Sequence, residues 1–280
     1  MKLVKQANFT EERALYNSEE ITVTDSVFSD GESPIKESSR VVANNCTFKS
    51  RYPLWYCTSV AVKDSRFALT ARAGIWYTNG VTLEDSIINS PKTIRRCTDV
   101  KLKNVSIPNG VETLWHCNRV ELDRVDVSGE YFLMGSENIV AENLNVTGPY
   151  SFDGCKNVEI RGSHLYSKDA FWNCENVTVY DSLIVGEYIG WNSKNVTFVN
   201  CTLESNQGLC YMKNLVMKNC KLVNTDLAFE YSTVNAEIKS EIESIKNPIS
   251  GRIVAEGIKD IIHDEAFVDK SKTEIVILKP

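Results

Sequence analysis

An eight-residue pattern that recurs along most of the chain limits its fold more than any other feature. The pattern reads apolar-x-apolar-x-[Asn or Asp]-x-x-apolar, as in ITVTDSVF, and successive copies start 19 to 21 residues apart. A period of this length is typical of a solenoid, in which each repeat stacks on its neighbours. The octads begin at Ile21, Val41, Val60, Val81, Val100, Val120, Ile139, Val158, Val177, Val196 and Leu215, with a degraded copy at Val234.

Within each octad, the first and third positions are apolar and the second and fourth are mostly polar, which predicts a β-strand. The fifth position is most often Asn or Asp, and a second column of Asn, Asp and Gly precedes the octad. These residues tolerate left-handed backbone angles, so we expect two fixed corners in every coil. Left-handed β-helices are built on six-residue repeats, which 19 to 21 residues do not fit. The sequence therefore predicts an all-β fold, a single-stranded right-handed parallel β-helix of about twelve coils.

The two flanks of the repeat are predicted to close the solenoid. An end coil exposes apolar core and unpaired strand edges, which need cover. We expect an N-terminal cap over residues 1–20, repeats over 21–233 and a C-terminal cap segment over 234–280, all within one structural domain. The charged run Ala236 to Lys246 is interpreted as a helical part of the second cap, and Glu274 to Leu278 as a last strand.

Charge and composition exclude several classes of protein. The chain has 31 Lys and Arg against 37 Asp and Glu, a net charge of −6, so we expect no nucleic acid as partner. We find no secretory signal and no apolar run of membrane-spanning length, and we expect a cytoplasmic protein without a membrane partner. Nine Cys without a CxxC pair argue against disulfides and zinc, so we predict no metal and no cofactor. Five of the thiols precede an octad by three residues, a slot that also holds Ser and Thr, and are expected to be buried; they are Cys57, Cys97, Cys117, Cys155 and Cys174.

All five Trp residues share one column, five residues before an octad. The column before it is apolar or small and is assigned to the core, so the Trp column is expected to point outward. Flat, partly polar rings along a solenoid suit a polysaccharide, which has apolar ring faces and hydroxyl edges. The substrate-binding candidates are Trp55, Trp76, Trp115, Trp172, Trp191, Tyr56, Tyr77 and Glu112.

Charged residues interrupt the same face and provide candidates for catalysis. A carboxylate pair could hydrolyse a glycosidic bond, and Arg beside an acidic sugar could abstract a proton in a β-elimination. The catalytic candidates are Arg95, Arg96, His116, Asp153 and Asp169.

Two functions of different classes follow from this face. The first is a carbohydrate-binding or carbohydrate-active β-helix, including a polysaccharide lyase or a glycoside hydrolase, with an oligosaccharide or polysaccharide as partner. The alternative is a non-enzymatic scaffold whose Trp face binds protein or forms a homo-oligomer. The sequence leaves both open.

The octad, the Asn columns and the flanking segments resemble the pectin-lyase-like right-handed β-helix superfamily along most of the chain, and most closely an uncharacterised bacterial family of unknown function. That resemblance implies polysaccharide enzymes such as pectate lyases and polygalacturonases, or polysaccharide binders. The Gly-His-Gly, Asp-Asp and Arg-Ile-Lys signatures of polygalacturonases are missing here, and so is a three-carboxylate calcium cluster. No catalytic residue is therefore carried over, because a fold alone does not give a function.

Overall fold

The protein, described here by a computed structural model of residues 2–278, is built almost entirely from β-strands. The chain divides into two compact units, residues 1–141 and 142–280. The strands of unit 1 are β1 (Lys2–Lys5), β2 (Asn8–Phe9), β3 (Glu19–Thr24), β4 (Val27–Phe28), β5 (Ser39–Asn44), β6 (Thr47–Phe48), β7 (Thr58–Lys63), β8 (Arg66–Phe67), β9 (Ile75–Trp76), β10 (Asn79–Ile88), β11 (Ile94–Arg95), β12 (Thr98–Ile107), β13 (Asn118–Ser128) and β14 (Glu137–Glu142), which ends one residue past the boundary.

Unit 2 continues the same kind of structure. Its strands are β15 (Asn145–Thr147), β16 (Lys156–Arg161), β17 (His164–Tyr166), β18 (Glu175–Tyr180), β19 (Leu183–Val185), β20 (Lys194–Val199), β21 (Thr202–Asn206), β22 (Lys213–Asp226), β23 (Thr233–Lys246), β24 (Ser250–Ile262) and β25 (Thr273–Ile277). A single turn of 3₁₀-helix, Lys270–Lys272, precedes β25.

Octad strands of successive turns pair in parallel and in register. In unit 1, Val41 pairs with Val60, and Val60 pairs with Val81. In unit 2, Val177 pairs with Val196 and Val196 with Leu215. This pairing confirms the predicted fold class, a parallel β-helix, and the chain contains about 15 turns.

The core of each unit lies between the strand walls of its turns. The first and third octad positions are buried, and the last octad position forms aromatic stacks where it carries Phe. In unit 1, Phe48 lies between Phe28 and Phe67 with ring centroids 5.0 and 4.7 Å away. In unit 2, Phe152 and Phe171, which belong to the apolar column before the Trp column, stack at 4.9 Å. Identical residues therefore pack on one another from turn to turn.

The two corner columns adopt left-handed backbone angles, as predicted, and their side chains form ladders. The Asn195 carboxamide donates to Asn176 Oδ1 at 2.9 Å, and Asn214 donates to Asn195 Oδ1 at 3.0 Å. Left-handed angles also occur at Tyr56 (φ 55°) and Leu114 (φ 60°). For these residue types the left-handed region is sterically unfavourable, because it brings Cβ close to the following carbonyl oxygen.

The coil count and the expected helix need correction. Both segments that we predicted as caps contain turns of the solenoid, so about 15 turns replace the predicted twelve. Residues Ala236 to Lys246 are not helical but lie within strand β23, because Ala236 and Ile238 alternate with exposed or half-buried charged residues in the period of two. The charges in this run concealed that alternation. The single-domain assignment stays a prediction.

The Cys slot is buried, as the columns predicted, and the contacts explain why it accepts Ser and Thr. The Cys174 amide donates to Ser193 Oγ at 2.8 Å, and that hydroxyl donates to the Phe171 carbonyl at 2.6 Å. Thr78 Oγ1 makes the same kind of bridge between the Cys57 amide and the Leu54 carbonyl. The slot thus needs a small side chain with a polar end, which satisfies backbone groups at a bend.

Candidate functional site

The Trp column of unit 1 forms a closed stack that we call the tryptophan ladder, made of Trp55, Trp76, Arg95 and Trp115. The indoles of Trp55 and Trp76 lie 5.1 Å apart and are nearly parallel, with an angle of 8° between them. The Arg95 guanidinium follows, 5.2 Å from the Trp76 ring and 4.2 Å from the Trp115 ring. The ring faces that neighbouring members of this ladder turn toward each other are therefore covered.

The indole N–H groups of the ladder all donate hydrogen bonds to backbone carbonyls. Trp76 Nε1 donates to the Lys92 carbonyl at 2.8 Å, and Trp115 Nε1 donates to the Tyr131 carbonyl. Trp55 does the same with the Ala73 carbonyl. Each indole thus satisfies a backbone carbonyl 16 to 18 residues further along the chain. These contacts fix the rings as part of the fold.

Arg95 forms an ion pair with Glu112, in addition to its contacts with the rings of Trp76 and Trp115. The guanidinium donates to Glu112 Oε2, and Lys92 Nζ lies 3.0 Å from the same oxygen. Partial burial opposes ionisation of Glu112, but the hydrogen bonds from Lys92 and Arg95 outweigh it and lower the pKa of this carboxyl. Arg95 and Glu112, predicted as catalytic and binding residues, are therefore engaged with each other.

The next column along the chain is more open and contains four more predicted residues. The rings of Tyr56 and Tyr77 stack at 4.8 Å with 6° between their planes, and both side chains are exposed. Arg96 and His116 follow on the next two turns and are exposed as well. The structure brings these four side chains to one corner of unit 1.

The aromatic column of unit 2 is arranged differently, because its rings are tilted. Trp172 and Trp191 lie 6.4 Å apart with 34° between their planes, and Trp191 and Tyr211 lie 4.7 Å apart with 38°. Trp172 Nε1 donates to the Tyr188 carbonyl at 3.1 Å. Within residues 2–278, the Trp191 indole N–H has no hydrogen-bond acceptor. Trp191 therefore keeps a free donor beside the exposed ring of Tyr211.

Next to these rings lies a groove of about 310 Å³, which we call the amide groove. The Asn192 carboxamide donates to Asn173 Oδ1 at 2.8 Å, and no described side chain donates to Asn192 Oδ1. Lys194 pairs with Glu175 at 2.9 Å, whereas Lys213 has no carboxylate partner in the described part of the chain. The groove is lined by Asn173, Cys174, Glu175, Asn192, Ser193, Lys194, Tyr211 and Lys213.

The two predicted catalytic carboxylates belong to unit 2 and differ in environment. Asp153 Oδ1 accepts a hydrogen bond from the Asn173 carboxamide at 3.2 Å. Asp169 is 2% exposed, and its Oδ1 has no hydrogen-bond partner among the residues that the structure describes. Burial raises the pKa of Asp169, Lys168 opposes this, and the nearby charges of Glu187 and Asp153 add to the rise. Asp169 is thus covered, and Asp153 is joined to the amide ladder. The remaining catalytic candidates, Arg95, Arg96 and His116, lie in unit 1.

The residues predicted for the site do not include those of the groove. Tyr211, Asn173 and Asn192 each stand directly after the Trp column, four residues before an octad, at a position that is polar or aromatic in most coils. The charged residues Glu175, Lys194 and Lys213 all precede an octad by two residues, and this regular spacing was the available signal.

No group of three or more His, Cys, Asp or Glu residues within 2–278 could hold a metal ion. No helix in the same range is long and apolar enough to cross a bilayer.

A family described as "Protein of unknown function (DUF3737)" matches residues 2–276, nearly the whole chain. The chain belongs to this family. No curated protein matches it.

Solved structures with a similar fold include PfbA, a surface adhesin of Streptococcus pneumoniae. It is 8% identical, the match covers 86% of this chain and 83% of the adhesin, and the TM-score is 0.45. A tailspike protein of E. coli bacteriophage HK620, in complex with a hexasaccharide, is 12% identical with a TM-score of 0.44. That match covers 93% of this chain and 59% of the tailspike, so the family member spans about three-fifths of it. Neither likeness carries an argument about function.

Proposed function

We propose that this protein binds an oligosaccharide or polysaccharide at the amide groove of unit 2. The observation that carries the proposal is the set of unused polar groups around an exposed ring. Asn192 Oδ1, in the groove lining, has no partner among the described residues, and Tyr211, which also lines the groove, is 39% exposed. Trp191 lies outside the lining, but its ring centroid is 4.7 Å from that of Tyr211, and its N–H has no acceptor within residues 2–278. A sugar presents hydroxyls that both donate and accept, together with an apolar ring face, and these groups match that set.

The size and polarity of the groove support the same ligand class. Its volume of about 310 Å³ lies at the lower end of the range for small-molecule sites, about 300 to 1,000 Å³. Its lining combines carboxamide, carboxylate and ammonium groups with the phenol ring of Tyr211. A short part of a glycan chain would fill the groove, while the rest continues along the surface.

The tryptophan ladder of unit 1 is less suited to this role. A sugar that stacks on an aromatic ring needs an open ring face, and the ladder covers its faces. Trp55, Trp76 and Trp115, predicted as binding residues, are therefore assigned to stability in this proposal. The proposal concerns binding, and the lyase and hydrolase hypotheses stay predictions.

Calorimetric titration with a panel of neutral and acidic oligosaccharides tests the proposal. Tyr211→Ala is expected to weaken binding on the order of tenfold, which corresponds to about 1.4 kcal/mol. Tyr166→Ala is the matched control, because Tyr166 is 49% exposed in unit 2 but does not line the groove. Absence of binding across the panel, or equal affinities of the two variants, would contradict the proposal.

A further inference from the structure

A line of aromatic rings leads from the amide groove to the segment between β24 and the 3₁₀-helix. Tyr211, which lines the groove, contacts Tyr231 with 5.3 Å between the ring centroids and 63° between the ring planes. The Tyr231 ring in turn lies 5.4 Å from the Phe267 ring, with 30° between the two planes. We call the rings of Tyr211, Tyr231 and Phe267 the outer ring line. Aromatic surface therefore continues beyond the lining of the groove.

Phe267 is the last ring of this line and the most open one. It is 69% exposed, and no other large hydrophobic side chain within residues 2–278 is as exposed. A single exposed apolar residue is ordinary on a protein surface, but Phe267 is continuous with the half-buried ring of Tyr231 and the exposed ring of Tyr211. Contiguous apolar surface of this kind is typical of a binding site.

The segment that carries Phe267 is fixed to the solenoid on both sides of the ring. The Asn247 carboxamide donates to Asp264 Oδ1 at 2.6 Å and accepts from the Asp264 amide at 3.2 Å, and Asn247 is fully buried. Val268, directly after Phe267, is 6% exposed. The fold thus holds the Phe267 ring in solvent while it buries the next residue. A ring that is held in this way loses little conformational freedom when a ligand stacks on it.

The charges around Tyr231 and Phe267 are mainly negative. Lys246 Nζ lies 3.1 Å from Glu230 Oε1 and 3.7 Å from Asp264 Oδ2, so one ammonium group serves two carboxylates. Burial and the neighbouring carboxylate of Glu265 raise the pKa of Tyr231. An anionic ligand would be repelled at this end of the ring line, whereas a neutral one would not.

We propose that the outer ring line binds a further, neutral sugar residue of the glycan that the amide groove holds. This inference rests on the proposed function and extends it, because the groove contacts one part of the glycan chain while Tyr231 and Phe267 stack against another. A neutral sugar suits the ring line, since its apolar face covers the exposed ring and it brings no charge toward the carboxylates. A long oligosaccharide should therefore bind more tightly than a short one.

Calorimetric titration with the neutral oligosaccharides of the panel, each as a series of increasing chain length, tests this inference. The affinity of the wild type is expected to rise with chain length. Phe267→Ala should weaken binding of the longest members by about tenfold, the effect of one lost aromatic stack, and leave the shortest members unchanged. Tyr211→Ala should weaken binding at every length, because Tyr211 lines the groove. Phe267→Tyr keeps the ring and should retain the wild-type affinity.

Tyr166→Ala is again the control, because Tyr166 is exposed in unit 2 but belongs neither to the groove lining nor to the ring line. Hydrogen exchange of β24 in Phe267→Ala checks that the turn beneath the ring remains folded. Equal affinities of wild type and Phe267→Ala for the longest members, with Tyr211→Ala still weakened, would overturn this inference and leave the proposed function intact. Binding of acidic oligosaccharides alone would have the same meaning. Self-association of the wild type that Phe267→Ala abolishes would also overturn it, since the ring would then belong to a contact between copies.

Discussion

The aromatic columns of the two units have similar sequences but different geometry. In unit 1, Trp55 and Trp76 are parallel within 8°, Arg95 extends the stack, and each indole N–H donates to the backbone. In unit 2, Trp191 is tilted by 38° from Tyr211, and its N–H has no acceptor in the described part of the chain. Flat groups that stack on successive turns thus cover one another's faces in unit 1, whereas the tilted rings of unit 2 leave an indole N–H without an acceptor among the described residues.

The comparison predicts that rings in regular stacks contribute more to stability. Phe48→Ala should lower the free energy of unfolding by about 3 to 5 kcal/mol, because it removes a fully buried ring. Phe198→Ala in unit 2 is the matched variant: Phe198 is also fully buried, but within residues 2–278 the one aromatic ring that it contacts is Phe171, edge to face at 6.5 Å. Its loss should be smaller by about 1 kcal/mol, the size of an aromatic pair contribution. Denaturant unfolding measures both, and a larger loss for Phe198→Ala would refute the comparison.

The columns explain how much could be predicted from the sequence. Strand positions, the buried Cys slot and the Asn corners follow from period two and from residues that favour left-handed angles. The orientation of rings could not be predicted, because it depends on which side chains occupy the turns above and below. Left-handed angles at Tyr56, Leu114 and Phe152 also contradict local preference, and stacking within the solenoid imposes them.

The solenoid turns near both ends and the amide groove could not be predicted from the sequence, for related reasons. Strand β23 carries charges at outward positions, so its alternation resembled a charged helix. The argument for the amide groove uses two groups without a partner among the described residues, Asn192 Oδ1 and the neighbouring Trp191 N–H. Only the three-dimensional structure shows that these groups form no hydrogen bond. A sequence pattern shows which positions repeat, but it does not show which hydrogen-bonding groups lack a partner.

A second prediction concerns Arg95, the non-aromatic member of the tryptophan ladder. Arg95→Ala should destabilise the protein by about 1 to 2 kcal/mol, since it removes a partly desolvated cation from between two indoles. Denaturant unfolding measures the loss, and oligosaccharide affinity should remain unchanged. Arg96→Ala, on the exposed neighbouring position, is the control with little expected effect. A loss of glycan binding in Arg95→Ala with intact stability would instead support a site in unit 1.

A third and smaller effect concerns the pH dependence of unit 2. Burial raises the pKa of Asp169 in the folded protein, so the folded state holds this proton more tightly than the unfolded state. The resulting destabilisation is absent below the unfolded pKa of about 4, grows as the pH rises above that value, and is complete once the pH exceeds the folded pKa. Asp169→Asn should therefore stabilise the protein at pH 7 and lose this advantage below about pH 4. Thermal unfolding at both pH values tests this.

The control for this prediction is Asp181→Asn. Asp181 is exposed and accepts a hydrogen bond from Asn200 at 2.9 Å, so the change should give no gain at either pH. An equal gain for Asp169→Asn at pH 7 and below pH 4 would show that charge at Asp169 is not the cause.

The most direct test of the central claim is ¹⁹F NMR of protein labelled with 5-fluorotryptophan. Single Trp→Phe variants assign the five resonances, and the labelled protein is titrated with an oligosaccharide that binds in calorimetry. We expect the Trp191 resonance to shift with the binding isotherm, while those of Trp55, Trp76 and Trp115 stay in place. Shifts at Trp55 and Trp76 with an unmoved Trp191 resonance would contradict the account, because they would place the ligand on the closed ladder.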